Sequence, residues 1–267
     1  MRRMLLTMVL IVCRGAVADD EDAAAKLDLH AVKLEAGEDG LAGEMSYSLV
    51  VGTYYEWNTD PTAVPGLFSE LNKETGIRAR VDFRTVSLDS EGLFGNPLLI
   101  MTGNRFFSLS DEELDNLRRY LEAGGFIYAD DCGGADWSFR YMIKKLLPDH
   151  EMVEVPADHP VFSSHYKLTA VPKILDLYGG DAKALGVFID GRLAVLYTFD
   201  TDVPCGWEKN PDGSFVHLLT PEKHEQSMKF GINVVMHVLQ ELHKRINAKN
   251  DAADGAEPVA EEAENAE

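Results

Sequence analysis

Residues 97–104 (PLLIMTGN) and 126–130 (FIYAD) are apolar runs that turn polar only at their ends, and one strongly signalled helix lies between them. Ser110 and Glu113 form a capping box, and Leu109 is placed to staple onto Leu114. Leu114, Leu117 and Leu121 share a face, and Gly124 is a natural stop. Continuous apolar strands are expected where both faces of a sheet are covered, and a strand–helix–strand unit joins parallel neighbours. The pattern argues for a parallel α/β sheet.

The flanking segments extend it. SYSLVVGTYY (46–55) reads as a first strand, 66–76 as a short helix, and the alternating RARVDFRTV (78–86) as a strand. A helix begins at Asp136 with Phe139, Met142, Ile143 and Leu146 facing inward, and Pro148 closes it. Beyond residue 150 the alternation stops. Residues 185–199 read as a hairpin turning at Asp190-Gly191. A long helix over about 222–248 carries Phe230, Val234, Val235, Val238, Leu242 and Ile246 on one broad face. The expected fold is a three-layer α/β domain with a mostly parallel sheet, a late hairpin and a long C-terminal helix.

Charge divides the 267-residue chain. Residues 19–44 carry nine acids and two bases, and residues 251–267 carry seven acids and no base, so much of the net charge of −20 sits near the ends. Clustered Lys and Arg are missing, which argues against nucleic-acid binding. Arg2 and Arg3, the apolar run to Cys13 and Ala16-Val17-Ala18 have the form of an export signal cleaved before Asp19. The expected organisation is a signal peptide over 1–18, an acidic linker over 19–44, a single domain over 45–250 and a disordered acidic tail over 251–267. Export to the periplasm or beyond follows, with no membrane span left in the mature chain. Cys132 and Cys205 are the thiols that remain, to be read as a disulfide or as free cysteines.

The stretch GGFIYADDCGG (124–134) concentrates the chemistry. Ligands of open α/β sheets bind outside the carboxyl ends of the strands. Three strand ends fall there, bringing Tyr54, then Thr102 and Gly103, then Asp130, Asp131 and Cys132. Asp131 is the one candidate general base; its other reading is a cap for the helix that follows. Arg140 is placed to pair with Asp131. His159 in ADHPVFSSHY, and Asp200, Trp207 and Glu208 in FDTDVPCGWE, complete the candidate ligand-binding set. A nucleophile elbow at Cys132 would need glycine where Asp130 stands, and no histidine has glutamate two residues later. With neither His-x-His nor Cys-x-x-Cys present, no metal ligand and no cofactor is expected.

The order of motifs PLLIMTGN, LSDEELDNLRRYLEAGGFIYADDCGG, LLPDHEMVEVPADHPVF, GVFIDGRLAVLYTFD and CGWE resembles the bacterial domain-of-unknown-function family 4159 over about residues 46–245. The resemblance implies a fold related to class I glutamine amidotransferase-like and flavodoxin-like proteins, and brings no reaction with it. The expected function is an exported binding or scaffold domain for a small polar ligand or an envelope protein. The alternatives are a hydrolase using Asp131 and a catalytically inactive structural subunit of an envelope complex.

Overall fold

The computed structural model describes residues 26–27, 32–38, 40–45, 48–51, 59–81 and 84–254. They form a mixed α/β fold with two sheets and four α-helices. A three-stranded sheet joins β1 (Lys33–Gly37), β2 (Gly40–Met45) and β4 (Gly76–Ala79). The larger sheet has seven strands: β3 (Ser48–Val51), β5 (Arg84–Ser87), β6 (Leu98–Gly103), β7 (Phe126–Asp131), β8 (Val153–Glu154), β9 (Lys183–Ile189) and β10 (Arg192–Phe199). Their order is β5-β3-β6-β7-β10-β9-β8.

From β5 to β10 every neighbour is parallel, but β9 runs antiparallel to both β10 and β8. Both sheets are therefore mixed rather than mostly parallel. The cause is local. Asp190 and Gly191 both take positive φ, 51° and 78°, the geometry of a tight hairpin turn. Once β10 docks parallel to β7, the turn obliges β9 to run the other way.

The helices are α1 (Ala63–Glu74), α2 (Asp111–Glu122), α3 (Asp136–Leu146) and α4 (Pro221–Asp254). The Ser110 hydroxyl accepts from the Glu113 amide at 3.2 Å and the Glu113 carboxylate accepts from the Ser110 amide at 2.7 Å, so the capping box forms. Every residue of β6 and β7 is buried. Alternate positions feed two cores. Leu98, Ile100, Phe126 and Tyr128 pack with α1 and α4, whereas Leu99, Met101, Ile127 and Ala129 pack with α2 and α3.

Three expectations shift. The second half of the expected 19–44 linker supplies β1 and all but the last residue of β2, with Leu34 and Leu41 packed against the α1–α4 core. The alternating stretch 78–86 splits between β4 and β5, which belong to different sheets, because alternation marks a strand but not its neighbour. Helix α4 runs to Asp254, past the expected domain end. Its far end is tied by Arg245, which donates to the carbonyl of Gly124 at 2.8 Å, just ahead of the start of β7. Among the described residues no helix is long and apolar enough to cross a membrane.

Candidate functional site

Asp130 and Asp131 are adjacent in sequence at the end of β7, and strand alternation sends them to opposite faces. Asp131 follows Ala129 toward α3. Asp130 follows Tyr128 toward α1, α4 and the loop after β10. The two carboxylates therefore do separate things.

Asp131 is fully buried and fully engaged. Its Oδ1 accepts from the amides of Gly133, Gly134 and Ala135 at 3.0, 2.9 and 2.8 Å, and its Oδ2 accepts from the Tyr178 hydroxyl at 2.5 Å. This ties down the turn and the first free amides ahead of α3. Burial, then the hydrogen bond to Asp131, drives the Tyr178 hydroxyl pKa upward. Arg140 does not meet Asp131. It pairs with Asp136 at 2.7 Å, one helical turn earlier, and lies over the rings of Tyr197 and Phe199.

On the other face the site gathers three segments. Asp130 Oδ2 accepts from the hydroxyls of Thr198 and Thr201, the latter at 2.8 Å, and from the Val203 amide at 3.4 Å. The Tyr128 hydroxyl sits 3.0 Å from Thr198, extending the chain of hydroxyls into the core. Asp202, at positive φ of 50° in the loop after β10, takes the Cys205 thiol on Oδ2 at 3.1 Å. Asp60, just before α1, takes the Cys132 thiol on Oδ2 at 3.4 Å, and its Oδ1 lies 3.7 Å from Cys205 Sγ. Thr59 donates to the same Asp60 carboxylate at 3.1 Å. Cys132 and Cys205 are both free thiols, neighbours across one carboxylate rather than joined by a bond.

The electrostatics of the cluster are one-sided. Burial, then the charge of Asp202, lifts the Asp130 pKa well above the usual carboxylate range. Burial pushes Asp202 up to about 6, with Asp60 adding to the rise. Burial also raises Asp60, and burial with the surrounding carboxylates drives both thiols upward. No ion pair among the described residues involves Asp60, Asp130 or Asp202. Asp130 Oδ1 and Asp202 Oδ1 are buried without a hydrogen-bond partner. Asp60, Cys132 and Asp202 each place a ligand atom within 4.8 Å of the other two, and so do Asp60, Cys205 and His217. These are the residues able to hold a metal ion. Glu208 borders them, accepting from the Thr62 hydroxyl at 3.0 Å and meeting His217 Nε2 at 2.7 Å.

The remaining sequence candidates disperse. Thr102 and Gly103 end β6, where Gly103 accepts from the Cys132 amide at 3.2 Å, and a cavity of about 10 Å³ lined by Thr102, Gly103 and Asp130 opens there. Trp207 is 1% exposed, with its indole N–H on the carbonyl of Ser227 at 2.9 Å. It is a core residue. Asp200 opens the same loop after β10 but is buried and turned away, toward the amides of residues 177–180. Burial works against its charge, but the Tyr178 amide, the Lys173 ammonium and the Leu177 and Gly180 amides outweigh it and hold the carboxyl at about 2. His159 caps the turn at Val161 and meets His237 edge to face, and His237 in turn lies against Phe126. Phe126 starts β7, so His159 is at the opposite end of the sheet from Asp130. Tyr54 lies outside the described residues.

Nothing in the sequence singles out Asp60, Thr198, Thr201 or His217, because each reaches the cluster from a distant segment. Asp202 and Cys205 carry a faint signal: an Asp-x-x-Cys directly after an apolar strand end, matching the Asp-x-Cys at the end of β7.

A family model described as a domain of unknown function (DUF4159) matches residues 46–239. No curated protein matches the chain. The matched span takes in Asp60, Asp130, Cys132, Asp202, Cys205 and His217 together with all four helices in whole or in part. The chain therefore belongs to the DUF4159 family.

Proposed function

We propose that this is a binding domain for a small cationic ligand, held at the carboxyl ends of the central strands by the cluster of Asp60, Asp130 and Asp202. One observation carries the reading. Two buried carboxylate oxygens, Asp130 Oδ1 and Asp202 Oδ1, have no partner in a cluster with no described ion pair. A buried polar atom left unpaired costs about 1–3 kcal/mol, and a charged one more, so a site that retains two of them suits an incoming positive charge. The hydrolase alternative draws less support, since both oxygens of Asp131 are taken up by amides and Tyr178. A purely structural role leaves the unpaired oxygens unaccounted for. The run of strands and helices from β3 to α3 supports kinship with flavodoxin-like and glutamine amidotransferase-like folds.

Export is part of the proposal and rests on residues 1–18. Intact mass of exported material should begin at Asp19; Met1 retained in that fraction would refute cleavage, and a chain confined to the cytoplasm would remove the export claim.

Thermal melting of the full chain against putrescine, Ca²⁺ and Zn²⁺ tests the binding claim. A ligand at about a hundredfold over its Kd stabilises by about 2.7 kcal/mol, or about 5–10 °C for a domain of this size. At least one cation should give such a rise in the wild type and lose most of it in Asp202→Asn. No rise with any cation, or an equal rise in the variant, refutes it.

A further inference from the structure

We infer that Asp60, Cys132, Asp202 and Cys205 form a four-ligand site for a divalent transition metal of the zinc class. The inference rests on the cation-binding reading above and narrows it to one chemistry.

The donor set is the first ground. Two thiols exclude a site built for Ca²⁺ or Mg²⁺, which take oxygen ligands, while two carboxylates make a poor match for the purely soft ions. Mixed sulfur and oxygen donors suit zinc and its close analogues. The spacing is the second. With metal–sulfur bonds of about 2.3 Å and metal–oxygen bonds of about 2.1 Å, a tetrahedron has sulfur–oxygen edges of about 3.6 Å. The sulfur–oxygen distances present are 3.4 Å from Cys132 to Asp60 Oδ2, 3.7 Å from Cys205 to Asp60 Oδ1 and 3.1 Å from Cys205 to Asp202 Oδ2, so Asp60 meets the two sulfurs with different oxygens. Asp60, Cys132 and Asp202 already place ligand atoms within 4.8 Å of one another, and Cys205, which groups with Asp60 and His217, completes the four by a turn of the Asp60 carboxylate on binding. The third ground is independent of the cluster's composition. Asp202 is 3% exposed, its Oδ2 faces Cys205, and its Oδ1 has no partner.

The supporting groups are in place. Asp60 stands just ahead of α1, so the excess negative charge of two thiolates and two carboxylates faces the positive end of a twelve-residue helix. Thr59 donates to Asp60. Glu208 holds His217 beside Asp60 and Cys205, the carboxylate–histidine arrangement that commonly borders metal ions. Binding breaks both S–H bonds and forms two sulfur–metal bonds. The two protons pass to solvent, and no electron is transferred.

The full chain, reduced with a phosphine so that no competing thiol is present, is titrated with Co²⁺ and then Zn²⁺. One Co²⁺ should bind per chain, with a thiolate-to-cobalt charge-transfer band and the intense visible bands of tetrahedral cobalt, and Zn²⁺ should bleach both. Cys132→Ser and Cys205→Ser should each remove about half of the charge-transfer intensity and weaken Zn²⁺ at least tenfold. If either serine variant fails to fold, the wild-type cobalt spectrum decides alone. Cobalt bound without a thiolate band, or Zn²⁺ affinity indifferent to both serines, overturns the metal site. If putrescine or Ca²⁺ still binds through Asp202 in that case, the cation reading survives. If no cation binds the fully reduced chain, both fall.

Discussion

The indole of Trp207 lies so close to Gly231 that a Cβ added at the glycine would come within 2.8 Å of the ring. On the other side, a Cβ at Gly66 would come within 2.2 Å of the Trp207 carbonyl oxygen. The short 3-10 helix Pro204–Trp207, which carries Cys205, is clamped between glycines of α1 and α4. Glycine inside a helix costs about 1 kcal/mol against alanine, so close approach is what these two positions gain.

Gly66→Ala should therefore destabilise despite the better helix former. Backbone is the obstacle there, and overpacking costs about 1–3 kcal/mol before any helix gain is counted. Gly231→Ala should cost less, because the atoms in its way are side-chain atoms, Leu67 Cδ1 at 2.7 Å and the indole at 2.8 Å, rather than backbone. Denaturant unfolding of both variants checks the order. A more stable Gly66→Ala would show that the approach is slack.

Asp131→Asn should be tolerated within about 1 kcal/mol, since Asn and Asp cap nearly equally well, Oδ1 keeps its three amides, and the half-exposed Tyr178 hydroxyl can accept from the new NH2 and turn its own proton to water. Asp131→Ala should lose about 2 kcal/mol or more by stranding those amides. Ligand-induced stabilisation should persist in Asp131→Asn. Loss of binding there with stability intact would return Asp131 to the site.

Asp202→Asn should leave the chain as stable as the wild type, or more so, when a chelator is present. It removes one of several carboxylates that burial and mutual repulsion disfavour. The same change should abolish the stabilisation gained from cations. A variant several degrees less stable in chelator would mean that Asp202 supports the fold rather than a ligand.

His237 gives the fold a pH dependence away from the site. Burial and then His159 lower its pKa to about 4, with Glu241 opposing and Lys244 and Arg192 assisting. Between about pH 6.5 and about 4 the unfolded chain takes up a proton that the folded chain refuses. Stability should therefore fall as pH drops through that window, by up to about 3 kcal/mol, and this contribution should level off below it. His237→Phe keeps a ring against Phe126 and should flatten this slope. An unchanged slope in urea titrations across the window would exclude His237 as its source.

Local signals carried much of the fold. The Ser110–Glu113 box and the Asp190-Gly191 turn are written in adjacent residues, and both form where expected. Sheet membership is not local, which is why β4 and β5 read as one strand. The site was half legible. The end of β7 stands out, and strand alternation alone separates Asp130 from Asp131. Asp60 is 72 residues from Cys132 in the chain, and Cys205 is 145 from Asp60, so only the fold unites them. Trp207 looks like a cleft aromatic in sequence and is a core residue because two helical glycines admit it.

The anchoring of α4 at Gly124 gives the molecule two electrically distinct poles. Helix α4 brings Arg245 to the end where β7 begins, beside Arg192, whose guanidinium donates to the carbonyl of Gly125 at 2.9 Å. The carboxylate–thiol cluster occupies the other pole, about 20 Å away along the six residues of β7. That is more than twice the screening length of about 8 Å in physiological salt. An ion held in the cluster would therefore scarcely feel the Arg192 and Arg245 guanidiniums, and its affinity should follow the cluster's own charges.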